Sequence, residues 1–410
     1  MDPDDSVLEV VEVEGHILDS LILGKVLDVI VNSGSEYRML DVDIGHTSED
    51  RSRARFEVRA RDSVALVALL DDLQVYGVNR VDSEDAATAL TDKDGVFPSG
   101  FYSTTNLPTS VRVAGEWRQV ENPEMDCGLV VLPEGAVRTV PMHRVHNGDR
   151  IVVGHAGVRV DAPSRTQGAV AFEFMRSEVS SEKPKSVLIA DMATRIRETR
   201  AAGGRVLAVC GPAVVHTGAA PHVARMVREG WVDVLFAGNG FATHDLEAEV
   251  FGTSLGISIR EGSPVEGGHA NHLRLINEIR RHGSIAAAVE SGYVTGGVMY
   301  ECVRRAVPFV LAGSIRDDGP LPDVFTDVVR AADAMRDLLA GVRVALILAS
   351  TLHAVATGNL LPAWVETYCV DINQAVVTKL TDRGSHQALS LVTDVGLFVH
   401  ELADLLSSPQ

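Results

Sequence analysis

Positive charge is what this chain most lacks: 37 Lys plus Arg stand against 56 Asp plus Glu, a formal net charge of −19. Duplex nucleic acid and anionic membranes bind through cationic surface, so neither is expected as the main partner. No apolar run approaches the roughly 20 residues that span a bilayer. The opening Met-Asp-Pro-Asp-Asp also lacks the basic and apolar regions of a signal peptide. The expected compartment is therefore the cytoplasm. Cysteine is scarce as well. Cys127, Cys210, Cys302 and Cys369 share no metal-ligand spacing, and two of them fall in or at the end of apolar, strand-like runs, so buried free thiols are expected.

What is present is core-forming material: 46% of 410 residues are hydrophobic, enough for two or three domains. Residues 1–95 mix strand-like alternation with helical runs at 19–32 and 62–73, and the run RFEVRA at 55–60 alternates cleanly. They read as a small α/β unit. Residues 96–180 show little helical periodicity. Short runs at 111–113, 129–132 and 150–153 are separated by Gly, Pro and Asn, which predicts a β-rich segment. A polar stretch at 176–186 marks the boundary. From 181 to 410, strand candidates at 205–210, 232–237, 308–312, 342–349, 367–371 and 389–393 alternate with helical segments. That alternation specifies an α/β fold of the Rossmann-like kind, a largely parallel sheet covered by helices on both faces.

In such sheets the ligand lies beyond the carboxyl ends of the strands, so the residues that follow each strand carry the functional signal. GPAVVHTG follows the first strand and GNGFATHD the second. The strand ending at 349 runs into Ser350-Thr351-Leu352-His353, and the next ends at Asp371, about twenty residues on, where dinucleotide-binding folds place a ribose-binding carboxylate. Asp317 and Asp318 follow the strand at 308, and Asp394-Val395 follows the last. Missing is any G-x-G-x-x-G fingerprint. A pyrophosphate over 350–353 would therefore rest on backbone amides and the hydroxyls of Ser350 and Thr351. Each strand end taken alone is more often a turn or a helix cap; several gathered on one edge are less easily dismissed.

Four stretches together, GPAVVHTG (211–218), GNGFATHD (238–245), AGSIRDDGPLPDV (312–324) and VDINQAVVTKLTDRGS (370–385), resemble the archaeal-type ornithine cyclodeaminases. That family also forms the C-terminal part of cyanobacterial arginine dihydrolase/ornithine cyclodeaminase proteins, and is related to a lysine-oxoglutarate reductase/saccharopine dehydrogenase domain. The segment EGHILDSLILGKVLDVIVNSGSEY (14–37) extends the resemblance to nearly the whole chain. It implies a deoxyhypusine-synthase-like NAD-binding domain at the C-terminal end, with NAD as a recycled cofactor. The family's NAD contacts fall on Asn239, Gly240, Asp318, Ser350, Thr351, Leu352, His353, Asp371, Asp394 and Val395. Gly240 stands where alanine is common in the family, and Ser350-Thr351 where Thr-Met is common; both changes are compatible with backbone contacts to the cofactor.

The reaction implied is L-ornithine to L-proline plus ammonia, with no net redox change. It needs groups that move protons on and off two amines, and histidine suits that traffic. The catalytic candidates are His216, His244, Asp245, His269 and Asp317. Asp245, Asp317 or Glu261 would bind a substrate amine, and Arg274 or Arg316 its carboxylate. Lys25 and Lys379 read as surface or structural lysines rather than imine-forming nucleophiles. His269 and His272 have a spacing that suits a metal, but no third ligand is evident in the sequence and the resemblance implies none. The expected partners are a small amino-acid substrate and further copies of the chain, as a homodimer or homotetramer. The whole length is taken up by the cyclodeaminase-like part, leaving no dihydrolase domain. Three alternatives stay open: a cyclodeaminase for another basic amino acid (lysine, diaminobutyrate or a modified arginine or ornithine), an NAD-dependent net amino-acid dehydrogenase, and an amino-acid or NAD sensor. One methylene of substrate length is worth only about 1–3 kcal/mol in a pocket, so membership of the family leaves chain length open.

Overall fold

The structure is a computed structural model that describes residues 6–15, 17, 22–45, 50–81, 84–161, 185–254, 257–258, 263, 265, 270–317, 319–375 and 388–408. The chain divides into two compact units. One comprises Met1–Phe174 with Asn359–Trp364 and Gly384–Gln387; the other comprises Met175–Gly358, Val365–Arg383 and Ala388–Gln410. The polar stretch expected as a boundary lies outside the described residues up to 184.

The first unit opens with β1 (Val7–Gly15), α1 (Ile22–Asn32), β2 (Glu36–Asp43), β3 (Ser52–Ala60), α2 (Ser63–Gln74) and β4 (Val78–Arg80). The strands form an antiparallel sheet in the order β2-β3-β1-β4. Strand period explains β3: Ala54, Phe56 and Val58 are buried in the core with Val11, Val13, Ile30 and Leu69. The intervening Arg53, Arg55 and Glu57 face outward and pair with Asp41, Glu12 and Arg38. Helix α2 starts where Asp62 accepts a hydrogen bond from the Ala65 amide at 2.7 Å. Among the described residues the β-rich remainder has seven short strands: β5 (Thr88–Leu90), β6 (Thr109–Val113), β7 (Glu116–Gln119), β8 (Gly128–Val131), β9 (Val137–Val140), β10 (Arg150–Val152) and β11 (Val158–Val160). They form two further antiparallel sheets, β5-β10-β8-β9 and β11-β6-β7.

The second unit begins with α3 (Lys185–Ala201), β12 (Arg205–Cys210), α4 (Ala213–His216), α5 (Ala220–Arg228), β13 (Val234–Gly238) and α6 (Asn239–Phe251). A two-strand ribbon, β14 (Thr253–Ser254) and β15 (Ile257–Ser258), precedes α7 (Asn271–His282), α8 (Ile285–Glu290) and α9 (Val298–Arg304). Then come β16 (Phe309–Ala312), β17 (Val324–Phe325), α10 (Val328–Leu338), β18 (Val342–Leu348), α11 (Leu352–Leu360), β19 (Glu366–Asp371), β20 (Ala388–Val392) and α12 (Val395–Ser407). Seven strands make one parallel sheet in the order β17-β16-β13-β12-β18-β19-β20. From β12 the chain steps outward to β17, then crosses back to build the other half from β18. The strand order therefore reverses between β12 and β18. Central strands covered on both faces must be apolar throughout, and Val206 to Cys210 and Val344 to Leu348 are all buried. Six of the seven strands fall where the sequence pattern puts them. The seventh, β17, is a two-residue edge strand that is too short to show a period.

All four cysteines are buried and free. Among the described residues no helix is long and apolar enough to cross a membrane.

Candidate active site at the strand-order switch

Where β12 and β18 diverge, the backbone closes tightly. The Gly211 amide donates to the Leu348 carbonyl at 2.9 Å, and a Cβ on Gly211 would lie 1.8 Å from the Ala349 carbonyl oxygen. Only glycine fits there. Ala349 itself is left-handed, with φ of 47°, a conformation that costs an L-residue energy and that clusters at functional turns. This turn carries the chain from β18 into α11. Ser350 is buried, Thr351 is exposed at the turn, and Leu352 begins the helix with its side chain 75% exposed. His353 packs its ring against Gly238, where a Cβ would come within 2.7 Å of Cε1. Burial lowers the His353 pKa, opposed by its hydrogen bond to the Ala312 backbone and by Asp317.

The neighbouring strand ends converge on this turn. Asn239, the first residue of α6, is buried, and its Oδ1 accepts from the Leu321 amide at 3.0 Å. Gly240 lies against the Pro212 ring, where a Cβ would meet Cγ at a tight 3.3 Å. Asp317 accepts from the Ser314 amide at 2.8 Å. Asp371, at the tip of β19, is buried and accepts from the Asn373 amide at 2.8 Å. Asp394 caps α12 by accepting from the Leu397 amide at 2.9 Å, and Val395 is buried as the first residue of that helix. Gly396 abuts the Thr217 carbonyl in the β12 loop, where a Cβ would lie 2.7 Å away. Asp318, His269, Glu261 and Lys379 lie outside the described residues.

Beside the switch is an imidazole-rich cluster. His216, His244 and His272 come from α4, α6 and α7, with ring centroids 4.8 Å apart for the first pair and 5.0 Å for the second. Ser254 Oγ lies 2.8 Å from His216 Nδ1 and 3.5 Å from His244 Nδ1. Glu247, fully buried, directs Oε2 toward His244 Nδ1 at 3.4 Å and His272 Nδ1 at 3.8 Å. Its Oε1 accepts from Thr253 Oγ1 at 2.8 Å. Burial alone would raise the Glu247 pKa, but the two imidazoles and the Thr253 hydroxyl outweigh it and hold the carboxyl at about 2. Burial lowers the His216 pKa, helped by the adjacent His244.

Asp245 points elsewhere. Its oxygens accept from the Val298 and Met299 amides at 2.9 and 2.8 Å, at the start of α9. Burial lifts its pKa to about 6 against the pull of those amides. His244 and Asp245 are adjacent in sequence, yet a helix turns about 100° per residue and separates them. Residues three apart share a face, so His244 meets Glu247. The motif reading missed Glu247 and Ser254 and paired His272 with His269. The H-x-x-E spacing on α6 was the available signal for Glu247; nothing in the sequence marked Ser254.

A doubly wound parallel sheet with a glycine-pinched switch point, a buried carboxylate at the tip of β19 and a histidine-carboxylate cluster beside it defines a Rossmann-type nucleotide-binding enzyme domain. The chain belongs to the ArgZ-like C-terminal family. Residues 190–402 match the family profile described as arginine dihydrolase ArgZ-like, C-terminal, Rossmann fold, and 108–189 match the first region of the same C-terminal part. Residues 8–107 match the LOR/SDH bifunctional enzyme conserved region. The chain is 51% identical over 391 residues to the ornithine cyclodeaminase of Methanothermobacter thermautotrophicus, covering 95% of each. It is similar to the apo crystal structure of ArgZ, a cyanobacterial arginine dihydrolase, with a TM-score of 0.85 and 37% identity over 99% of this chain and 60% of that one. It is also similar to the crystal structure of the ternary complex of AgrE with ornithine and NAD+, with a TM-score of 0.53 and 40% identity over 98% and 57% of the two chains.

Proposed function

We propose that this chain is an NAD-dependent ornithine cyclodeaminase, which converts L-ornithine to L-proline and ammonia. The observation that carries the reading is the convergence, at one switch point, of the Gly211–Ala349 pinch, the Ser350–His353 turn, Asp371 and the histidine cluster. The cofactor supplies reversible hydride transfer at the substrate's Cα, so that oxidation there is undone after ring closure and net redox is zero.

The residues present fit such a group. Gly211 and Gly240 keep side-chain bulk away from the strand ends, and the turn at 350–353 offers amides at the start of α11. Buried Asp371 has the character of a ribose-binding carboxylate. Asn239, Gly240, Asp318, Leu352, Asp394 and Val395 complete the proposed cofactor contacts. His353 backs the turn. His216 and His244 are the proposed groups for proton traffic at the amines, and His269 and Asp317 are the further catalytic candidates. Asp245 serves the site by fixing α9. The crystal structure of AgrE with ornithine and NAD+ supports the pairing of this substrate with this cofactor.

The test is direct. Purified protein with L-ornithine and NAD+ is expected to yield proline and ammonia in equal amounts by mass spectrometry, with no accumulation of absorbance at the NADH wavelength. Accumulating NADH would make it a net dehydrogenase, and turnover of a different diamino acid alone would move the substrate assignment. The same reading includes the cytoplasm as compartment, the three-part division at 95 and 180, and a homodimer or homotetramer, to be checked by sedimentation.

A further inference from the structure

The cluster of Glu247 with His244 and His272 does more than the proposed reaction asks of it. Among the described residues, the buried Glu247 Oε2 makes no hydrogen bond of ordinary geometry, and neither does the buried Nδ1 of His272. These two orphaned atoms face each other at 3.8 Å, and His244 Nδ1 stands 3.4 Å from the same oxygen. One potential ligand atom from each of His244, Glu247 and His272 lies within 4.8 Å of the other two. A buried carboxylate oxygen without a well-placed donor is what folding avoids. A cation between the three atoms resolves it.

We propose that His244, Glu247 and His272 form a binding site for a divalent transition-metal ion, zinc by ligand type and geometry. A tetrahedral Zn2+ with ligands at about 2.1 Å sets neighbouring ligand atoms about 3.4 Å apart, close to the two distances at Glu247. Two imidazoles with one carboxylate disfavour Mg2+ and Ca2+, which take oxygen ligands. The same set leaves Zn2+ a fourth position for water or a substrate atom. The ligands are held from behind: Thr253 Oγ1 donates to Glu247 Oε1, Asn271 Nδ2 donates to Thr253 Oγ1 at 3.0 Å, and Arg274 donates to Asn271 Oδ1 at 3.3 Å. Such outer contacts orient ligands in metal sites. The chain supplies the set from two directions, since His244 and Glu247 share one face of α6 while His272 arrives on α7. The inference departs from the expectation of no metal, which rested on resemblance and on pairing His272 with His269. It goes beyond the proposed reaction. It replaces the proton-transfer role proposed above for His244 with that of a metal ligand, and leaves that role to His216, whose Nδ1 lies 2.8 Å from Ser254 Oγ.

Untagged protein, purified without chelator and desalted, is assayed for metal by inductively coupled plasma mass spectrometry. Close to one equivalent of zinc or another divalent transition metal per chain is expected. Glu247→Gln and His272→Ala are expected to lower it at least tenfold. The double variant of His222 and His400 to Ala, an imidazole pair outside this cluster with rings 4.4 Å apart, is expected to retain it. Should Glu247→Gln fail to fold, Thr253→Val tests the site instead, with zinc affinity falling by about 10-fold to 100-fold. Wild-type protein that stays metal-free even after incubation with excess Zn2+ and desalting overturns the proposal. So does metal that leaves with His222 and His400 rather than with the cluster. Metal content is read without turnover: protein inactive on ornithine but loaded with zinc keeps this site and loses the proposed function, and active metal-free protein does the reverse.

Discussion

Gly211 and Asp371 show how much of the proposed site rests on single residues. Gly211→Ala places a methyl group into the Ala349 carbonyl, so β12 or β18 must shift. A loss of about 1–3 kcal/mol in urea unfolding is expected, as for other overpacked positions, together with loss of NAD binding by calorimetry. Asp371 separates two roles. Asp371→Asn keeps an oxygen to accept from the Asn373 amide but removes the charge. NAD affinity is expected to fall at least about tenfold, or about 1.4 kcal/mol, while the melting temperature stays near that of the wild type. Equal NAD affinity in the variant would remove Asp371 from the cofactor site.

Helix starts and buried strands set the next level. Asp394 caps α12 and is also a proposed cofactor contact, and the two roles predict different variants. Asp394→Ala is expected to cost about 1 kcal/mol of stability, and Asp394→Ser to recover most of it, because a hydroxyl also caps. An NAD contact would show as an affinity loss that Ser does not recover. Asp245 anchors α9, so Asp245→Ala leaves two amides without a partner and is expected to cost about 1–3 kcal/mol, read by chemical unfolding. In strand β19, burial pushes the Cys369 thiol up to about 12, helped by Asp371. The folded chain thus keeps its proton while the unfolded chain releases it above the ordinary value of 9.0. The stability associated with this thiol is present below pH 9 and is lost as pH rises toward 12. None of the four thiols is expected to react with a thiol reagent in the native state, and all four should react in denaturant.

At the scale of the whole molecule, the parallel sheet brings residues from 211 to 396 to one edge. The proposed reaction uses that edge to perform opposite hydride transfers without releasing the cofactor between them. Stoichiometry is therefore the sharpest global prediction: proline and ammonia rise together while free NADH stays flat. The net charge of −19 adds a second expectation. Like charges repel in the compact state, so raising salt from low ionic strength to about 0.15 M, where the screening length is about 8 Å, should raise the melting temperature, measured by calorimetry.

Much of this was legible in one dimension, because strand burial writes itself as uninterrupted apolar runs and helix alternation as punctuation between them. The six longer strands of the parallel sheet, the alternating β3 and the polar strand ends at 211, 239, 350, 371 and 394 follow from such local rules. Motifs gave the family and the reaction it implies. What only the tertiary structure decided is which side chains meet across elements. His244 lies next to Asp245 in sequence, but helix rotation sends Asp245 to the amides of α9 and turns His244 toward Glu247 and His272, a residue 28 positions away. The pinch at Gly211 and the left-handed Ala349 exist only because β12 and β18, far apart in the chain, are neighbours in the sheet. Local propensity fixes where strands and helices run; long-range packing fixes which of their polar side chains share a site.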